Sequence, residues 1–178
     1  MPGTHATGSP TLRLPGMSSY KWIATATITM LATGVAAADI VPFADAEVII
    51  PEGDWQIHAE DDMMQLAPEQ GGGLLELYSL AKTPAADKVA LTKLLTASKK
   101  DLDEVVLTRI TAKYEQHGLK GIAFRGTAQT HGKPVAFTAV GLDGLKGHAV
   151  LAIAYTRPDD GDSKVIGVVP TLRRATKH

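Results

Sequence analysis

Cysteine and asparagine are both absent from the 178 residues. Without cysteine the chain has no disulfide, no thiolate nucleophile or thiolate metal ligand, and no residue to carry the lipid of a bacterial lipoprotein. Without asparagine it has no N-glycosylation acceptor. Aromatic residues are scarce, with three Phe, four Tyr and two Trp, so aliphatic side chains must fill whatever core exists. Nor is there a long apolar run: the uncharged stretch Trp22 to Ala38 falls short of the ~20 apolar residues a membrane-spanning helix needs. Thr25, Thr27, Thr29 and Thr33 dilute it further.

That stretch has a different logic. Lys21 precedes it, an apolar core follows, and Ala36-Ala37-Ala38 stands before Asp39, the arrangement of a cleavable secretory signal. The expectation is a leader over residues 1–38 and a single exported domain over 39–178, periplasmic or secreted, with no membrane anchor after cleavage. Residues 1–16 hold three prolines, three glycines and no apolar periodicity, so translation from Met17 is the preferred start. Two of the eighteen basic residues and none of the nineteen acidic ones lie in the leader, which leaves a net charge of −3. That balance argues against nucleic acid as a partner, since binding requires a concentrated basic surface.

Within the domain, a lead-in broken by Pro42 precedes short strands at Ala46–Ile50, Trp55–Ala59, Met63–Ala67 and Leu74–Leu80, each bounded by Gly, Pro or Asp turn signals. The period then lengthens. Leu91, Leu94, Leu95, Ser98 and Leu102 line one face of a helix expected between Asp87 and Asp101, with Asp87 as cap and Lys99 and Lys100 at its negative end. From Val105 alternation returns, setting Leu107, Arg109, Thr111 and Lys113 opposite Val106, Thr108, Ile110, Ala112 and Tyr114. Three longer strands, Gly121–Thr130, Pro134–Leu142 and Gly147–Thr156, are joined by short glycine-containing turns and read as antiparallel hairpins. A last helix is expected over Asp160–Arg174, kinked near Pro170. Strands, helix, strands, helix: the class is α+β, an antiparallel sheet with helices packed on it.

This order, together with Ile49-Ile50-Pro51-Glu52-Gly53-Asp54-Trp55 and a closing Leu172-Arg173-Arg174, resembles the Mog/PsbP-like superfamily, and within it the DcrB-like bacterial envelope proteins, over about Ala46 to Arg174. The family usually shows a Pro-x-Gly-Trp-like turn, into which Asp54 is inserted here. The resemblance implies an αβα sandwich around a six- to seven-stranded antiparallel sheet flanked by two main helices, and a role in binding. Members include extrinsic photosystem II subunits, small-GTPase-binding proteins and effector chaperones, which share no catalytic residues.

The search for chemistry returns little. His58, His117, His131, His148 and His178 form no H-x-x-x-H or H-E-x-x-H pair, so no metal site is expected and the histidines read as surface residues. Asp159, Asp160 and Asp162 around Gly161 lack calcium-loop spacing. Ser79, Ser98 and Ser163 sit in no nucleophile motif, and no phosphate-binding sequence follows Gly71-Gly72-Gly73. Asp61-Asp62 and Asp101-x-Asp103-Glu104 read as solvated turns and helix ends. Met63 and Met64 should point to opposite faces, and Trp55 should pack on the core rather than anchor a partner. No catalytic, cofactor or metal residue is therefore expected. The leading functional expectation is a non-enzymatic binding or accessory protein of the cell envelope, using a sheet face or the Gly71–Gly73 and Asp159–Asp162 loops against an unknown protein or small ligand. The alternative is a periplasmic hydrolase with an unrecognised site.

Overall fold

The computed structural model describes residues 38–158 and 163–176; residues 1–37 of the expected leader, the Asp159–Asp162 loop and His178 lie outside the described residues. Among the described residues, ten strands and two helices follow in the order β1 (Asp39–Phe43), β2 (Ala46–Ile50), β3 (Trp55–Ala59), β4 (Met63–Pro68), β5 (Leu74–Leu80), α1 (Lys88–Ser98), β6 (Leu102–Gln116), β7 (Leu119–Thr130), β8 (Lys133–Leu145), β9 (His148–Thr156), α2 (Lys164–Val168), a 3₁₀ turn (Val169–Thr171) and β10 (Arg173–Arg174). Seven of the strands form one antiparallel sheet in the order β3-β4-β5-β9-β8-β7-β6; β1, β2 and β10 form a second.

The large sheet is apolar on both faces because its central strands alternate two apolar sets. On β9, Leu151, Ile153 and Tyr155 meet the α1 side, where Leu91 and Leu95 close the layer. Val150, Ala152 and Ala154 point the other way, toward Val165 and Val168 of α2 and Val48 and Ile50 of the small sheet. The expected αβα sandwich is present, with a three-stranded sheet added to one outer layer. Helix α1 begins where the sequence asks: Asp87 Oδ1 accepts from the amides of Val89 and Ala90, both at 3.0 Å, satisfying two of the orphan donors at a helix start.

Four expectations are corrected. The lead-in through Pro42 is strand β1, paired with β2; proline is tolerated because β1 is the outer strand of the small sheet. Helix α1 stops at Ser98, and Leu102 belongs to β6 while still burying its side chain in the same core. The simple alternation from Val105 fails because β6 carries register shifts against β7 at three places, between Asp103 and Val106, Leu107 and Arg109, and Thr111 and Tyr114; each shift moves the following side chains relative to the faces. The final helix is only five residues long, tightens to 3₁₀ at Pro170, and gives way to strand at Arg173. Arg173 pairs with Glu47 and Arg174 with Ala46, so tertiary pairing overrides the helical spacing.

Candidate functional site

Glu76 is the residue around which a site can be built. It sits on β5 between Leu75 and Leu77, on the face covered by α1, and is 2% exposed. A buried carboxylate is costly unless its oxygens find donors. Two do: Gln65, its cross-strand partner on β4, donates Nε2 to Oε1 at 3.0 Å, and the Tyr78 hydroxyl donates to Oε2 at 2.8 Å. The nearest cation is Lys99, at the C-terminal cap of α1. Its Nζ lies 3.6 Å from Glu76 Oε1 and 3.9 Å from Asp101 Oδ1, and 5.5 Å from the centroid of the Tyr155 ring.

Asp101 is held in turn. The Thr130 hydroxyl donates to its Oδ2 at 2.6 Å, and His131 Nε2 lies 3.1 Å from the same oxygen. The Thr130 hydrogen bond, with lesser help from Lys99 and His131, lowers the Asp101 carboxyl below its ordinary value. Burial, and after it the charge of Glu76, pushes the Tyr78 phenol up. Burial, then Glu76 and Asp101, does the same to Tyr155, whose hydroxyl is enclosed and has no hydrogen-bond partner among the described residues. Both phenols stay neutral at physiological pH.

Above these groups lies an open depression of about 570 Å³, bounded by β4, β5 and the end of α1 and rimmed by Glu60, Met63, Ala97 and Lys100. It is a shallow basin rather than a deep cleft. The Ser98 hydroxyl at its edge donates to the Leu94 carbonyl at 2.8 Å, and no serine–histidine contact occurs among the described residues. The arrangement suits recognition of charge by fixed hydrogen-bonding groups. A second depression of about 530 Å³, between Thr83, Lys113, Lys120 and Asp143, has no buried charge beneath it.

Most residues singled out from the sequence do not converge. His58 faces Glu60 at 3.4 Å in solvent. His117 and His131 occupy hairpin tips with positive φ of 50° and 49°, each followed by a glycine also at positive φ; these are the paired left-handed positions of a tight hairpin, which histidine tolerates better than most. His148 departs from the surface expectation. It is half-buried, and its Nε2 is enclosed 3.7 Å from Asp45 Oδ2. Among the described residues no group of three or more His, Asp or Glu is placed to hold a metal.

Met64 is buried under the small-sheet layer while Met63 faces the depression, opposite faces as expected. Trp55 packs against the core and donates Nε1 to the Pro51 carbonyl at 2.9 Å. Gly73 is locked in place: at φ 133°, a Cβ there would lie 2.5 Å from Val165 Cγ2 and 2.6 Å from the Tyr155 carbonyl oxygen. Ser163 further ties the loop by donating to the Gly72 carbonyl. Asp61 and Asp62 are exposed at the β3–β4 turn, and Asp103 and Glu104 are exposed on β6. Of the paired carboxylates only Asp101 reaches the site. Sequence reasoning missed Glu76 and Tyr155; the available signal was a lone acid in Leu74-Leu75-Glu76-Leu77, a strand apolar at both parities and hence covered on both faces.

No family model matches the chain, and no curated protein resembles it in sequence. Solved structures do resemble it in fold. Cyanobacterial PsbP (CyanoP) from Synechocystis sp. PCC 6803 superposes with a TM-score of 0.58 at 10% identity, over 83% of this chain and 98% of CyanoP. A Bacteroides thetaiotaomicron protein matches at 0.49 and 12% identity, over 80% of this chain and 49% of its own. LpqN, involved in cell envelope biogenesis of Mycobacterium tuberculosis, matches at 0.36 and 12% identity, over 82% and 87%. The last two overlap too loosely to bear on anything further; the first shows that the fold is PsbP-like. Among the described residues no helix is long and apolar enough to cross a membrane.

Proposed function

We propose that this chain is an exported, non-enzymatic binding protein of the bacterial cell envelope, akin to DcrB-like proteins, and that its ligand contacts the Glu76 depression. The observation that supports this is the buried carboxylate itself. Glu76 is enclosed at the floor of an open basin with fixed donors around it, an arrangement that contributes little to stability and much to discrimination among polar ligands. Export is supported by the basic–apolar–small pattern ending at Ala38, and mass spectrometry of the mature protein in its host should find an N-terminus at Asp39 or within two residues of it.

A second reading, a hydrolase, draws on one feature: Asp101 and Glu76 both line the basin, and the exposed His131 pairs with Asp101. Against it stands the depression's openness, since acid–base chemistry gains from a water-excluding cleft. Chromogenic esters, amides, phosphates and glycosides separate the two. Turnover that disappears in Asp101→Asn would establish the hydrolase and end the binding reading; no turnover, with saturable ligand binding at the basin, supports the proposal.

A further inference from the structure

The groups at the basin favour one sign of charge. Glu60, Glu76 and Asp101 stand against Lys99 and Lys100, and the deepest of the five is the acid Glu76. Each Glu76 oxygen accepts one hydrogen bond and keeps acceptor capacity free. An incoming anion would meet two carboxylates, one of them desolvated and one held ionised by Thr130. An incoming cation would gain both.

A cation is already there. The Lys99 ammonium sits over the Tyr155 ring at 5.5 Å, within reach of a cation–π contact, and between Glu76 and Asp101 at 3.6 and 3.9 Å. At those separations it is attracted to both carboxylates without closing a good hydrogen bond to either. It is loosely seated, with about a fifth of its side chain still exposed. The Tyr155 ring supplies the aromatic face of the seat, and the residue is 5% exposed, with no hydrogen-bond partner for its hydroxyl among the described residues.

We infer that this basin is a seat for a small organic cation, an alkylammonium or methylated ammonium group, and that Lys99 is a resident placeholder which the ligand displaces. The inference rests on the binding reading above and adds to it the ligand's chemical class. Met63 and Ala97 at the rim would flank the ligand's apolar stem, while the ammonium takes the position between Glu76, Asp101 and the Tyr155 face. A placeholder reduces the apparent affinity to the intrinsic affinity multiplied by the fraction of time the seat is empty.

The test uses n-butylammonium and tetramethylammonium as probes, with n-butanol and butyrate as neutral and anionic isosteres, followed by amide chemical shifts of the full chain. The expected result is saturable shifts from the ammonium probes confined to residues 63–65, 76–78 and 97–101. Lys99→Ala should tighten binding about tenfold if the placeholder fills the seat roughly nine-tenths of the time. Asp101→Asn should weaken it about twofold to fivefold, the range a half-exposed ion pair supports. If Lys99→Ala folds poorly, butylammonium but not butanol should raise its melting temperature, since the probe replaces the missing charge beside Glu76.

Three results would overturn the inference: no saturable shift with either ammonium probe, butyrate or butanol binding the basin as tightly as the amines, or Lys99→Ala weakening amine binding. Saturable butyrate or butanol binding at the basin would remove the cation class while leaving the binding reading in place. Turnover of a hydrolase substrate would remove that reading instead.

Discussion

Truncation of α1 at two adjacent leucines separates a covering helix from a merely amphipathic one. Leu95 is fully buried, with 0% of its surface exposed, among the side chains of β7, β8 and β9; Leu94, its neighbour, is only half-buried at the edge of the same layer. Leu95→Ala removes a buried isobutyl group and leaves a cavity under a helix whose cap at Asp87 fixes its position, so the cost should fall near the middle of the ~2–5 kcal/mol measured for such sites. Leu94→Ala removes a side chain already partly in water, and ~25 cal/mol per Å² of apolar surface gives about 1 kcal/mol. At roughly 3 °C per kcal/mol for a domain of this size, the melting temperatures should fall by about 10 °C and about 3 °C respectively. Urea titrations of the same variants should move the midpoint with little change in slope, because the surface exposed on unfolding is nearly constant. Equal losses, or a larger loss at Leu94, would refute the stated packing of α1 on the sheet.

Gly73→Ala should destabilise by more than ~2 kcal/mol, since it demands a left-handed conformation and puts a methyl group against the Tyr155 carbonyl and Val165; a melt within error of wild type would contradict the close approach. His58→Ala should cost within about 0.5 kcal/mol; His117→Ala and His131→Ala put alanine at φ 50° and 49° and should cost somewhat more, about 1 kcal/mol, and His148→Ala, which empties an enclosed position beside Asp45, should also exceed the His58 change. A chelator-dependent drop in the wild-type melting temperature would expose a metal site that the described residues do not show. At Glu47, hydrogen bonds from the Thr176 amide and hydroxyl, followed by Arg173, hold the carboxyl below its ordinary value of 4.5. A lowered folded value gives stability that is present above pH 4.5 and lost as pH falls through the folded value, so Glu47→Gln should lower the melting temperature at neutral pH, where the wild type has that stability, and flatten the acid limb of the curve against pH.

Much of the fold was legible because its signals are local. The bounds of β2, β3 and β5 follow from alternation between turn residues, and the start of α1 from a single capping aspartate. What was missed is non-local. Strand β10 exists because Arg173 finds Glu47 across 126 positions at 2.7 Å, and β1 because it pairs with β2 in spite of its proline. The bulges of β6 depend on its register with β7, which no periodicity in β6 alone encodes. The candidate site fails to show for the same reason: Gln65 lies on β4, Glu76 on β5, Lys99 and Asp101 in the connection from α1 to β6, and Thr130 at the end of β7. Although β4 and β5 are neighbours, β9 and β8 separate β5 from β7, so it is the α1–β6 connection that reaches Glu76 with Lys99 and Thr130 with Asp101. Asp101 was read as a solvated helix end, yet Thr130 holds it from 29 positions away.

A buried acid in the middle of an apolar strand also asks why leucine does not stand there. Stability gives no reason, since a buried ion pair commonly does no better than apolar residues of similar volume and often does worse. Removing one partner is another matter. Lys99→Met leaves Glu76 enclosed beside only neutral donors, and should cost up to about 3 kcal/mol, the low end for a buried pair, because the Lys99 side chain is still 21% exposed. Adding Glu76→Leu to that variant removes the unpaired charge, and the freed Gln65 and Tyr78 groups are only half-buried and can turn to water. The double variant should therefore recover to wild-type stability or exceed it by ~1 to 4 kcal/mol while binding no ammonium probe. A double variant as unstable as Lys99→Met alone would mean that Glu76 is a structural acid whose hydrogen bonds to Gln65 and Tyr78 hold β4 on β5. Recovery of stability together with loss of binding would show that the acid is retained for recognition.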